Sequence, residues 1–162
     1  MCGIAGVLAL TDRPPDPAWA DVLVRAMAHR GPDGSGTHAD ERLVLAHARL
    51  AILDLSEAGR QPMWSPDRQH ALVLNGEIYN HATLRAATPP PSGGWRSSSD
   101  TEVLLERLAR NSKASLTELR GMFAFAHWDR QRAELTLVRD RLGKKPLLWV
   151  HTPEYFAFAS EA

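Results

Sequence analysis

The single cysteine of this 162-residue chain stands at position 2, directly after Met1. A small second residue normally permits removal of the initiator methionine, which would leave a thiol and a free α-amine on one residue. An α-amine has an unperturbed pKa of about 7.7–8.0, so at pH 7.5 roughly a third of it is neutral and able to act as a base. Thiol and amine together then form a nucleophile–base pair that needs no histidine. The plain alternative is a buried cysteine at the start of a strand. Two further spots carry polar groups in suggestive settings. Asn75-Gly76 is the strongest short signal for a tight hairpin turn, yet clean alternation does not resume after Tyr79. Asp100 follows Ser97-Ser-Ser99 at the expected start of a helix, where the macrodipole favours a carboxylate.

The elements that must position these residues are legible in outline. Gly3–Leu10 is short, apolar and closed by a Pro-rich turn, as a buried strand would be. Asp16-Pro17 reads as a cap with proline in the first helical turn. Trp19, Val22, Leu23, Ala26 and Met27 predict an amphipathic helix over 17–28, followed by a loop over 30–36. Strand-like segments lie at 43–47, 50–54 and 70–75. The stretch 87–99, with three consecutive prolines and two glycines, is a loop. Ser99 and Glu102 have capping-box spacing and open a helix whose buried face is Leu104, Leu105 and Leu108. Residues 115–119 add a short helical turn. Segments 122–128 with 135–138, and 147–151 with 155–159, read as two hairpins. Strands in hairpins imply mainly antiparallel sheets. With helices needing faces to cover, two sheets with helices outside is the economical arrangement.

These blocks occur in an order that resembles a known family. Met1-Cys-Gly-Ile-Ala-Gly6 resembles the opening of class II glutamine amidotransferases, of the N-terminal nucleophile superfamily. The remainder is similar to the glutaminase domain of asparagine synthetase. It contains His29-Arg-Gly-Pro-Asp33, Leu45-Ala-His-Ala-Arg-Leu-Ala-Ile-Leu-Asp54, Gln61-Pro62, Asn75-Gly-Glu-Ile-Tyr-Asn80 and Ser99-Asp-Thr-Glu102. Gly121-Met-Phe-Ala-Phe-Ala126, Arg139-Asp-Arg-Leu-Gly143, Lys145-Pro-Leu147 and Ala159-Ser-Glu161 complete the set. The resemblance implies an α+β fold, the four-layer αββα sandwich of two mainly antiparallel sheets. It implies one domain over 1–162, with the ATP-dependent synthetase domain of relatives absent.

It also implies roles. Cys2 attacks the side-chain amide of L-glutamine, and Asn75 with the Gly76 N–H holds the oxyanion. Arg49 binds the substrate α-carboxylate, and Asp100 with Glu77 binds the α-ammonium. Backbone groups of Leu50, Ile52 and Leu53 line the same pocket. The products are glutamate and ammonia, the latter passed to an ATP-dependent synthetase domain or subunit. No cofactor and no metal are expected on this domain; ATP and Mg belong to the partner. Two departures stand out: Ser97 where the family has Thr, and Leu148 where it often has Tyr. Two other readings remain open from the sequence: a catalytically silent domain supporting an amide synthetase, and another N-terminal-cysteine amide hydrolase.

Composition excludes several other classes. Lys+Arg and Asp+Glu are 19 each, so the formal charge is zero, and nucleic acid or an anionic membrane is not the expected partner. No run of 18 apolar residues exists, and Ile4–Leu10 is too short and lacks the basic flank of a secretory signal. One cysteine excludes an internal disulfide framework and a multi-cysteine zinc site. A cytoplasmic setting is expected, and association of copies into a homo-oligomer is left open. Ser92-Gly-Gly94 lies in the Pro-rich loop and lacks the residues of a phosphate-binding loop. The scattered histidines and Trp64, Trp95, Trp128 and Trp149 are expected in packing or rim positions.

Overall fold

The computed structural model describes residues 1–111 and 114–162. Nine strands form two sheets. The first contains β1 (Gly3–Ala9), β2 (Gly34–Ala39), β3 (Leu43–Arg49), β8 (Leu148–His151) and β9 (Tyr155–Ala159) in the order β2-β3-β1-β9-β8. The second contains β4 (Met63–Trp64), β5 (His70–Ile78), β6 (Gly121–Asp129) and β7 (Glu134–Arg139), in sequence order. Every pairing between these strands is antiparallel.

Alternation along the strands separates three packing layers. Leu43 and Leu45 of β3, with Ile4 of β1 and Phe158 of β9, meet Ala71, Val73, Ala124, Ala126 and Trp128 of the other sheet between the sheets. The intervening residues Val44, Ala46 and Ala48 face outward onto α1 (Trp19–Ala26) and the turn after it. On the other side Leu72, Leu74, Ile78, Phe123 and Phe125 face α2 (His81–Ala86) and α3 (Asp100–Asn111), meeting Leu84, Val103, Leu104, Leu105 and Leu108. The central strands of each sheet are therefore buried on both faces, while the edge strand β8 is exposed along its length, and the layers run α–β–β–α. This explains why β3 and β5 read as continuous apolar runs rather than alternating ones. Each fully buried Leu of these layers contributes roughly 1.5–3 kcal/mol by removal from water. Among the described residues no helix is long and apolar enough to cross a membrane.

Three local expectations are corrected. Residues 50–54 are not a strand: β3 ends at Arg49 and the chain turns into a loop. Arg49 Nη2 donates to the carbonyls of Asp54 and Ser56 at 2.5 and 2.9 Å, and the Ala51 N–H donates to Asp33 Oδ2 at 2.9 Å. These bonds fold back a segment whose apolar side chains Ile52 and Leu55 are 69% and 77% exposed. Residues 34–36 belong to the edge strand β2 rather than to a loop. Its polar, Gly-rich sequence hides it, because an edge strand has only one paired side and little apolar demand. Helix α1 is shorter than 17–28 and is followed by a 3-10 turn over Ala28–Arg30. Its buried side is Ala20 and Met27 with partly buried Leu23 and Val24, while Val22 is 51% exposed.

The hairpins β6–β7 and β8–β9, the loop over 87–99 and the buried face of α3 follow the sequence reading. A 3-10 helix at Ala114–Glu118 overlaps the short helical turn expected at 115–119. The capping box is realised in half. Ser99 Oγ accepts from the Thr101 N–H at 3.0 Å, but Glu102 reaches the Ser97 N–H and hydroxyl, both at 2.8 Å, and the Arg96 N–H at 2.9 Å. Ser97 thus uses its hydroxyl on a buried carboxylate, the same bond a threonine could make. Strand β4 and helix α2 were not anticipated.

Candidate active site

Strand alternation brings the chemistry to one end of the space between the sheets. Ile4 points inward, so Cys2, two residues earlier, shares its face. In β3 Leu43 and Leu45 point inward, and so do His47 and Arg49; the register pairs Ile4 with His47. In the opposing sheet Ala71 and Val73 point inward, and Asn75 continues that series. Cys2, His47, Arg49 and Asn75 accordingly line one pocket.

The start of β1 is pinned from both sides. The Ile4 N–H donates to Ser160 Oγ at 3.0 Å, and the Ser160 N–H returns a bond to the Ile4 carbonyl at 2.8 Å. Arg30 Nε donates to the Cys2 carbonyl at 3.1 Å while its Nη1 pairs with Glu161 at 3.0 Å. Glu161 also holds His29 Nε2 at 2.6 Å. The half-buried Cys2 Sγ accepts from the Leu50 N–H at 3.4 Å and donates to the Leu50 carbonyl at 3.5 Å.

Asn75-Gly76 is not a turn. Both residues lie within β5, opposite Ala124 and Phe123 of β6. Gly76 has φ +143°, and a Cβ there would sit 2.1 Å from the Met122 carbonyl oxygen, so no other residue fits. Strand β4 pairs β5 only at Ala71 and Leu72, which leaves the rest of that edge free. The Leu74 N–H on this edge donates to Gln61 Oε1 at 2.6 Å, and the Ile78 N–H donates to Asp100 Oδ2 at 2.8 Å. The two-residue period places the Gly76 N–H between them on the same open edge. The Asn75 side chain is 1% exposed, and neither its Oδ1 nor its Nδ2 has a protein hydrogen-bond partner among the described residues. Leaving such an amide unpaired costs roughly 1–3 kcal/mol, which marks the position as built for something other than stability.

Asp100 sits at the first turn of α3, 5% exposed, with Thr101 beside it bonded to Gln61 Nε2 at 3.2 Å. Burial raises its pKa, against the Ile78 N–H and the nearby His81, which pull it down. The helix terminus alone therefore does not set its charge. Glu77 borders the same pocket from β5. Leu50, Ile52 and Leu53 form the rim, in a loop tied to the α3 terminus where Asp54 Oδ2 accepts the Ser98 N–H at 2.9 Å. Hydrogen bonds from Ser56 and Ser98 lower the Asp54 pKa to about 2. Of Arg49, Nη2 is engaged by the loop carbonyls, and among the described residues Nη1 and Nε have no hydrogen-bond partner.

All nine residues singled out from the sequence thus border one pocket. His47, Gln61, Thr101 and Lys145 border it as well and were not singled out. His47 was legible, since it stands two residues from Arg49 on the same strand face. Its ring is buried against the Leu74 backbone, and burial, aided by the Arg49 charge, lowers its pKa to about 4, so it is neutral at neutral pH. Gln61 and Lys145 reach the pocket from loops, and no periodicity could place them.

The glutamine amidotransferase domain model matches residues 1–162. Asparagine synthetase B [glutamine-hydrolyzing] of Escherichia coli K12 is 42% identical over 91% of this chain, and asparagine synthetase [glutamine-hydrolyzing] 2 of Bacillus subtilis is 34% identical over 99% of it. The chain spans only about a quarter of these relatives, 26% and 22% of their lengths. A glutamine phosphoribosylpyrophosphate amidotransferase from B. subtilis, solved with ADP and GMP, shares the fold with a TM-score of 0.80 at 22% identity, covering 98% of this chain and 42% of its own. With a family match over its whole length and a pocket made by both inner sheet faces, the chain belongs to the glutamine amidotransferase domain family.

Proposed function

We propose that this domain hydrolyses L-glutamine to glutamate and ammonia through a Cys2 thioester. The observation that supports it best is the pairing of Cys2 with a buried, unpartnered Asn75 amide across one pocket. Once Met1 is removed, the Cys2 α-amine takes the thiol proton as Sγ attacks the side-chain amide carbon. The oxygen of that amide becomes an oxyanion, for which Asn75 Nδ2 and the Gly76 N–H are the donors. The α-ammonium then gives its proton to the departing ammonia. Water, activated by the same amine, cleaves the thioester to glutamate.

Arg49 Nη1, which the loop carbonyls leave open, offers a charge-assisted donor to the substrate α-carboxylate. Asp100 and Glu77 supply the negative pole for its α-ammonium, and Leu50, Ile52 and Leu53 close the rim. This paired arrangement suits a free amino acid and has no use in cleavage of an acyl amide. Arg49→Ala or Asp100→Asn each removes a charge-assisted bond worth roughly 1.5–3 kcal/mol, about a 10- to 150-fold weakening. Steady-state kinetics should show the loss in KM and kcat/KM; unchanged values in both variants would mean that the pocket is misassigned.

The ammonia is read as serving an ATP-dependent synthetase domain or subunit that activates a carboxylate. Aspartate is the first candidate acceptor, and a specialised metabolite the second. ATP and Mg would act on that partner and not on this domain. A cytoplasmic setting suits an enzyme whose one thiol must stay reduced. The test is to compare protein whose first residue is Cys2, confirmed by intact mass, with protein carrying an N-terminal extension. The extension turns the amine into an amide and removes the base, so ammonia release from glutamine should fall about 10²–10⁴-fold. Equal rates would refute the N-terminal nucleophile assignment.

A further inference from the structure

Lys145 is 7% exposed and borders the Cys2 pocket, yet among the described residues its ammonium meets no carboxylate. Its Nζ donates only to the thioether sulfur of Met1, at 3.2 Å. Its backbone is fixed independently: the Lys145 N–H donates to Asp140 Oδ2 at 3.0 Å, and its carbonyl accepts from Arg139 Nε at 2.7 Å. A buried ammonium without an anion is costly, and removal of Met1 takes away even the sulfur.

We propose that Lys145 is a positioning residue for charge: its ammonium lowers the pKa of the Cys2 α-amine and so keeps that amine in its free-base form near neutral pH. The inference rests on the glutamine-hydrolysis reading above. The Met1 sulfur is five covalent bonds from the Cys2 nitrogen, so with the 3.2 Å contact Nζ lies within roughly 10 Å of the future amine. A unit charge at that distance, at an effective dielectric near 20, shifts a pKa by roughly one unit or somewhat more. The sign follows from charge: a neighbouring cation disfavours the protonated amine and lowers its pKa below the ordinary 7.7–8.0.

The other charges near Cys2 are better balanced. Arg30, which touches the Cys2 carbonyl, is paired with Glu161, and Glu161 also binds His29. Arg49 is drawn toward the loop carbonyls of Asp54 and Ser56, and His47 is neutral. Glu77 and Asp100 oppose Lys145 but become paired when a substrate ammonium binds. The Asp54 carboxylate is bonded to Ser56 and Ser98. Among the described residues Lys145 thus makes no ion pair with a carboxylate, and while Arg49 is turned away onto the loop carbonyls, the Lys145 ammonium is held against Met1, next to the Cys2 backbone.

The test uses the protein that begins at Cys2, its Lys145→Gln variant and the charge-restoring Lys145→Arg variant. The acid limb of kcat/KM against pH reports the amine in the free enzyme. Lys145→Gln should move that limb up by about one pH unit, lowering activity near pH 6.5 about tenfold while sparing the alkaline plateau, and Lys145→Arg should restore the parent profile. In parallel, because the chain has one cysteine, selective ¹³C labelling gives a single Cys2 signal. Its titration reads the amine without substrate, in the parent and in Lys145→Gln. A midpoint at least half a pH unit lower in the parent than in Lys145→Gln supports the proposal, and any smaller difference overturns it. A Lys145→Gln enzyme slower at every pH with an unmoved limb would also overturn it. If no form hydrolyses glutamine, the proposed reaction fails while the Cys2 titration still decides the role of Lys145.

Discussion

Cys2→Ala, in protein that starts at residue 2, is expected to lower glutamine hydrolysis by about 10⁵–10⁶-fold, to the background of the residual pocket. The α-amine, Asn75 and Gly76 would all remain, so binding and oxyanion contacts survive while the step that forms the thioester has no nucleophile. The fold should be untouched. Cys2 precedes β1, its sulfur makes only the weak Leu50 contacts, and the Ser160 and Arg30 bonds run through backbone atoms. Glutamate release and thermal unfolding measured on the same preparations would check both halves. A Cys2→Ala protein with parent activity would remove the mechanism altogether.

Asn75→Ala is expected to separate activity from stability. Loss of one oxyanion donor lowers kcat by about 10²–10³. Stability should hold or rise, because the deleted amide is buried without a protein partner and its removal relieves an unmet desolvation cost. An ordinary core asparagine would behave the opposite way: a bonded amide stabilises, and its truncation lowers the melting temperature without touching kcat. Comparing kcat with the melting temperature of Asn75→Ala therefore discriminates the two. An unaltered kcat would move the oxyanion site elsewhere, and a large drop in melting temperature would make Asn75 structural.

The position of Cys2, the Asn75-Gly76 pair, Arg49 and Asp100 were all legible in the sequence, as were the hairpins and the apolar face of α3. Residue type and spacing carry all of these but Arg49 because they are local, periodicity being written into the strand and the helix, whereas Arg49 was picked out through the resemblance of its motif to the family's. The loop at 50–56 was not legible. Its apolar residues resemble a strand, and only the fold-back of the Arg49 guanidinium onto the Asp54 and Ser56 carbonyls makes it a rim. Strand β2 was hidden for a related reason, since its Gly-Ser-Gly start is held by β3 and not by its own propensity.

The sequence by itself determined which atoms could react and the order of the elements that carry them. It left Asn75-Gly76 poised between a hairpin turn and a catalytic pair. The tertiary structure removed the turn. Registry with β6 runs straight through both residues, and β4 is too short to cover the far edge of β5. Gln61 and Asp100 take the N–H groups on either side and leave that of Gly76 facing the pocket. The decision needed partners from sequence positions 61, 100 and 123. A preference for a turn is local, whereas pairing across a sheet is settled by the summed hydrogen bonds and burial of distant strands, which no short window of residues contains.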